Sequence, residues 1–226
     1  IMCETLAALK AAAEQGIVLA LATGRYPENA SLAFLDHGLT GFIAGSNGAA
    51  ILDRPMGQTI MLHMMRSDAA AAVRACLDAE GADYIVFSHK LVATSCSSFF
   101  HHSEISDGER IRRSGHIRFT HGAQAVDEAV RSGVTKFYIY QHHDLAHLGK
   151  CLKNIDGTLL TRSGRANLEV MPAGVHKGSG IAELARWTGI PLEHVMAFGD
   201  EENDLPLLTT VGYGFAMANA PQHVRD

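Results

Sequence analysis

Cysteine is scarce in this 226-residue chain, and the four that occur do not pair along the sequence: Cys3, Cys76, Cys96 and Cys151 stand far apart, with no closely spaced couple of metal-ligand type. That spacing predicts reduced, structural thiols and argues against a disulfide-framed secreted fold. Basic excess is also lacking. Nineteen Lys and Arg stand against 24 Asp and Glu, a net charge of −5, so no basic stripe points to nucleic acid. No apolar run reaches the ~20 residues of a membrane span, and no signal-peptide pattern opens the chain. No Gly-x-Gly-x-x-Gly follows a predicted strand, which argues against a dinucleotide enzyme. What is present is 47% hydrophobic content, enough for one good core or two smaller ones, with the cytoplasm as the default compartment.

The most informative stretch is Ala197-Phe198-Gly199-Asp200-Glu201-Glu202-Asn203-Asp204, which sets acidic and amide side chains directly after the apolar run Val195 to Phe198. Such a run reads as a buried parallel strand, and in open α/β sheets ligands collect at the carboxyl ends of strands. Asp200, Asn203 and Asp204 are then aimed at one crevice. Oxygen donors favour a hard cation such as Mg²⁺, which keeps waters and is shared with substrate phosphates. Glu201 and Glu202 read as acids of a first helical turn.

Two further segments handle phosphate. Gly16 to Arg25 is a helix stop, an apolar strand, and then Thr23, Gly24 and Arg25. The glycine lets backbone N–H groups approach an anion, and the hydroxyl and amides hydrogen-bond its oxygens. Lys177 precedes the helical pattern Ile181, Leu184, Ala185, Thr188. A lysine there is a point charge for a phosphoryl group at the positive end of a helix dipole.

Thr23-Gly24-Arg25, Lys177 and Gly199-Asp200-x-x-Asn203-Asp204, in that order, resemble the second, third and fourth motifs of the haloacid dehalogenase superfamily, and within it the Cof-type phosphatases. Ser46-Asn47-Gly48-Ala49, Thr161-Arg162-Ser163-Gly164 and Leu168-Glu169-Val170-Met171-Pro172 are similar to stretches common in that subgroup, so the resemblance runs from end to end. It implies a Mg²⁺-dependent phosphatase of small phosphorylated metabolites such as sugar phosphates, working through an aspartyl-phosphate. Asp200 would hold the metal. Lys177, Thr23, Gly24 and Asn203 would hold phosphate oxygens, and Asp204 would position Lys177 or the metal's waters. Lys177, Asp200 and Asp204 are thus the catalytic candidates, with Arg25 and Asn47 as candidates for substrate contact.

The chain departs from the family in one respect. The Asp-x-Asp-Gly-Thr of the family's first strand, which carries the nucleophile, is absent; residues 2–15 read instead as a first helix stopped by Gly16. Ile1 is not an ordinary translation start, so about twenty residues bearing the nucleophile are expected upstream of it. The look-alike Asn154-Ile155-Asp156-Gly157-Thr158 is no substitute, because its first position is asparagine, a poor nucleophile. It reads as the turn opening a β-hairpin. A phosphosugar mutase and a non-catalytic binding module are the alternative readings.

Strand and helix patterns alternate through residues 17–52 and resume from Lys177 with helix 178–188, strand 195–198, helix 203–209 and strand 212–217. Between them run helix 67–80 capped by Ser67, strands 84–87 and 91–94, helix 123–131, strand 135–140 and helix 145–153. The expectation is an α/β fold: a Rossmann-like parallel-sheet core of residues 1–56 and 172–226, with an α/β cap of residues 57–171 inserted over its crevice. The pairs His101-His102 and His142-His143 are adjacent, and neighbours point apart, so they read as surface or loop residues rather than chelates. Polar residues 95–113, with Phe99-Phe100 among them, read as a loop. Oligomeric state is not legible.

Overall fold

The computed structural model describes residues 1–96, 117–140, 142–164 and 166–226. The expected loop at 95–113 and the His101-His102 pair lie outside the described residues, apart from Ser95 and Cys96. The protein is α/β, with parallel and antiparallel pairings. A first sheet runs β1 (Ala20–Ala22), β2 (Phe42–Gly45), β3 (Ala50–Leu52), β4 (Thr59–Leu62). Its β1 and β2 pair parallel, while β3 and β4 join antiparallel. Because β4 pairs with β3, this sheet extends past the expected boundary at residue 57.

A six-stranded sheet follows, in the order β7 (Arg118–His121), β6 (Leu91–Thr94), β5 (Tyr84–Ser88), β8 (Val134–Tyr140), β10 (Asn167–Pro172), β9 (Thr158–Thr161). Period-two alternation sorts its residues between two faces. Phe137, Ile139, Leu168 and Val170 pack with Val73 and Leu77 of α3 (Ser67–Ala79), Val126 and Ala129 of helix Ala123–Arg131, and Leu148 and Leu152 of helix Leu145–Lys153. On the opposite face Phe87 and Tyr138 meet Tyr26 and Leu32, at the start of and within α2 (Pro27–Leu35). Helices therefore cover one face, and the other rests against the first sheet's connections.

The chain returns through helix Lys177–Thr188, whose Ile181 and Leu184 pack with Ala44 and Ile51 of the first sheet and with Ala197. The last pair of strands, β11 (Met196–Gly199) and β12 (Tyr213–Ala216), is parallel. Strand β11 is not buried on both sides as its apolar run predicts. Ala197 and Gly199 are buried, but Met196 and Phe198 are exposed, with Phe198 stacked on Phe215. No described element covers that face.

Local signals govern most boundaries. The first helix spans Cys3–Glu14, and Gly16 at φ +82° ends it. Ser67 is not the cap of α3: Arg66 stands at that position, and Asp68 accepts the Ala69 N–H instead. The helix expected over 203–209 is broken into a turn, Glu202–Asp204, and a short helix, Leu205–Leu208, with Pro206 at its start. A proline fits a first helical turn, where no N–H partner is needed.

Candidate active site

Strand β1 ends at Ala22 and delivers Thr23, whose N–H donates to the Ala44 carbonyl (2.9 Å) and whose carbonyl accepts from the Asn47 N–H (2.9 Å). The Thr23 hydroxyl accepts from the Arg25 N–H at 3.2 Å. Beside it the chain turns through three successive left-handed residues, Ser46 (φ +46°), Asn47 (+53°) and Gly48 (+89°). Only glycine suits the last position twice over, since a Cβ there would lie 2.8 Å from the His176 carbonyl oxygen. The turn is thereby pressed against the start of helix Lys177–Thr188.

That helix start is built around His176, whose Nδ1 accepts the Ser179 N–H (3.1 Å) while the Ser179 hydroxyl accepts the His176 N–H (3.0 Å). Burial lowers the His176 pKa, which keeps the accepting lone pair free of a proton. Lys177 follows, its side chain only 8% exposed. A positive charge at this end opposes the helix dipole, so it needs a counter-charge. Asp204 supplies one: Oδ1 lies 2.6 Å from the Lys177 Nζ, and Oδ2 accepts the N–H groups of Asp200 (3.0 Å) and Glu201 (3.1 Å). Its carboxylate is consumed in fixing lysine and loop together.

Lys177 also donates to the Asn203 Oδ1 (3.2 Å), and the Asn203 Nδ2 donates to the Asn47 Oδ1 (3.1 Å). Asn47 donates in turn to Glu169 of β10 and to the Met171 sulfur (3.5 Å). Glu169, 1% exposed, accepts from the Ser163 hydroxyl (2.9 Å) and pairs with Lys136 of β8 at 3.4 Å. Lys136 donates to the Gly24 carbonyl (2.5 Å) and sits 4.6 Å over the Phe87 ring. A continuous polar network thus joins Gly24, Lys136, Glu169, Asn47, Asn203, Lys177 and Asp204.

The structure therefore gathers Gly24, Asn47, Lys177, Asn203 and Asp204, and sets Thr23 beside Asn47 through the backbone. Asp200 stands half-exposed at the tip of β11, where its Oδ2 accepts from Asn219 (2.7 Å). Arg25 is joined to the group only through its backbone; its side chain runs to the exposed surface. A cavity of about 230 Å³ opens beside Asn47, Lys177 and Asn203, with Leu159, Thr161 and Leu205 among its walls. Sequence reasoning assigned no role to Lys136, Glu169 or Asn219. The available signal was a charge inside each of two apolar strands, since buried charges are paired.

Charged and amide groups gathered at the carboxyl ends of strands define an α/β enzyme fold. The chain belongs to the haloacid dehalogenase-like hydrolase family, whose model matches residues 1–226. It is 30% identical over 230 residues to the HMP-PP phosphatase of Serratia proteamaculans, covering 96% of this chain and 77% of that protein. The HMP-PP phosphatase of Klebsiella pneumoniae matches to the same extent, at 30% identity over 230 residues. Among solved structures, a haloacid dehalogenase-like hydrolase from B. subtilis superposes with a TM-score of 0.82 at 23% identity, over 100% of this chain and 86% of that one. A subclass IIB sugar phosphatase gives 0.79 at 23% identity, over 99% and 83%. The resemblance in the motifs is thus matched by family and by fold.

Proposed function

We propose that the protein is a Mg²⁺-dependent phosphatase of small phosphorylated metabolites, acting in the cytoplasm through an aspartyl-phosphate intermediate. The observation that carries this reading is the buried Lys177, held by Asp204 and Asn203 at a helix start. Its ammonium, the Asn203 amide and the Thr23-Gly24 segment would hold the oxygens of a phosphoryl group. Asp204 would hold Lys177 aimed at the phosphoryl group. In-line attack by an aspartate carboxylate on phosphorus breaks the ester bond, and water then releases phosphate. That aspartate is assigned to a segment preceding Ile1, a reading supported by β1 and β11, each of which pairs on one side alone among the described residues.

The donor set fits magnesium in part. Asp200 offers the hard carboxylate oxygens that Mg²⁺ takes, one or two carboxylates being completed by water and substrate phosphate. When bound, the ion supplies neutralising charge on the transferring group. The six-stranded sheet, residues 84–172, would act as the cap that limits substrate to small molecules, with Asn47 and Arg25 at its margin. The relatives named for HMP-PP and for a sugar phosphate support a compact phosphorylated substrate.

The test is phosphate release from a panel of small phosphate esters by the protein carrying its upstream segment. Release should require Mg²⁺ and vanish in Asp200→Ala. Lys177→Ala should lower kcat and kcat/KM together. Turnover unchanged in Asp200→Ala would remove the metal assignment, and isomerised sugar phosphate in place of free phosphate would make the enzyme a mutase.

A further inference from the structure

Two cysteines 75 residues apart in the sequence, Cys76 and Cys151, meet where α3 packs on helix Leu145–Lys153. The Cys76 thiol is pushed up from its ordinary pKa by burial first and then by its neighbours Cys151 and Glu80. Each helix presents two of these side chains at i, i+4, which places both on one face. From α3 come Cys76 and Glu80, still in helical register because the Glu80 N–H donates to the Cys76 carbonyl (3.1 Å). From the second helix come His147 and Cys151, anchored by Asp144, whose side chain accepts the His147 N–H (2.8 Å).

The ligand atoms of Glu80, His147 and Cys151 all lie within 4.8 Å of one another. The His147 Nε2 is 3.3 Å from the Glu80 Oε2, and the Cys151 Sγ is 3.6 Å from the His147 Nε2. A zinc-type ion at roughly 2.0–2.3 Å from tetrahedral N, O and S donors holds those donors about 3.3–3.8 Å apart, so the spacing already matches. His142 contacts the Glu80 carbonyl at 3.4 Å, which steadies the end of α3.

We propose that Glu80, His147 and Cys151 form a binding site for a zinc-class divalent cation. Thiolate and imidazole donors select a borderline or soft ion over Mg²⁺, whose preference is for carboxylate and water. Three protein donors leave the fourth position of a tetrahedral ion to water. Coordination replaces the Cys151 S–H bond by a sulfur–metal bond, and the thiol proton goes to solvent, so affinity rises with pH. The site lies in the helix layer, on the face of the six-stranded sheet opposite Lys136 and Glu169, and does not depend on the phosphatase reading.

Cobalt(II), a coloured stand-in for zinc, tests this in the full chain kept reduced by a non-coordinating phosphine. One equivalent should produce a near-ultraviolet thiolate-to-cobalt charge-transfer band that zinc displaces. Cys151→Ser and His147→Ala should each weaken binding by at least about tenfold, with far-ultraviolet dichroism unchanged, and Asp200→Ala should bind as the parent does. Absence of the band at saturating cobalt would overturn the site. So would a band that survives Cys151→Ser or is lost in Asp200→Ala.

Discussion

Glu28 shows how a single residue sets a pH response. It stands in the first turn of α2, where the helix dipole favours a carboxylate by about 0.3–1 kcal/mol. Burial outweighs that: Glu28 is 7% exposed, and desolvation pushes its pKa up to about 7, against smaller lowering contributions from its own backbone N–H and from Lys90. The folded carboxyl therefore binds its proton more tightly than the unfolded one, whose pKa is near 4.5. The stabilisation is fully present below pH 4.5 and is lost as pH rises through 7, by about 3 kcal/mol in all. Urea unfolding at pH 5 and pH 8 should show Glu28→Gln losing less stability than the parent over that interval. His176, half-buried with a lowered pKa, titrates in the opposite direction but cancels in the comparison. Equal losses in the two proteins would mean that Glu28 stays ionised. At this scale the sequence was most readable where chemistry is local. Lys177, Asn203 and Asp204 follow an apolar strand or open a helix, and their roles stand next to their causes. The partners of Lys136 and Glu169 were unreadable because Gly24 and Asn47 lie 112 and 122 residues away. The Cys76 and Cys151 pair escaped for the same reason.

Among elements, the contact that aligns the candidate site is that of the Ser46–Gly48 turn with helix Lys177–Thr188. Gly48 and Gly180 touch backbone to backbone: a Cβ on Gly180 would lie 2.7 Å from the Gly48 Cα. Neither side can yield by rotating a side chain. Gly180→Ala should therefore force the helix and turn apart and cost about 1–3 kcal/mol, although alanine is the better helix former by about 1 kcal/mol. Thermal unfolding checks the sign. A raised midpoint would show that propensity wins and that the contact is loose. Elements with strong periodicity were legible to the residue: helices Ala123–Arg131 and Leu145–Lys153 fall where the pattern places them. The failures have physical causes. Pro206 splits the helix after Asp204, and β11, read as buried on both faces, has only Ala197 and Gly199 turned inward.

For the whole molecule, the decisive question is what fixes the six-stranded sheet over the ends of β1 and β2. Apolar contact contributes through Tyr26, stacked 5.8 Å from Phe87 and donating its hydroxyl proton to the Ser88 carbonyl (2.7 Å). The polar contribution is the Lys136 and Glu169 pair, with side chains 0% and 1% exposed, each also bonded to a residue of the first sheet's loops. Such a pair is weak as a source of net stability, since desolvating two charges offsets their attraction; breaking it by removing one partner costs about 3–5 kcal/mol. The expected signature is non-additivity. Lys136→Met leaves Glu169 charged and dependent on the Ser163 and Asn47 donors, and Glu169→Gln leaves the Lys136 ammonium with the Gly24 carbonyl and the Phe87 and Tyr138 rings. Each single change should be strongly destabilising, while the double variant should recover at least about 1 kcal/mol relative to their sum. Additive losses in urea unfolding would show two independent buried charges. A coupled pair, in contrast, makes the placement of Gly24 and Asn47 depend on the sheet above them, so that the site is set by both parts of the molecule together.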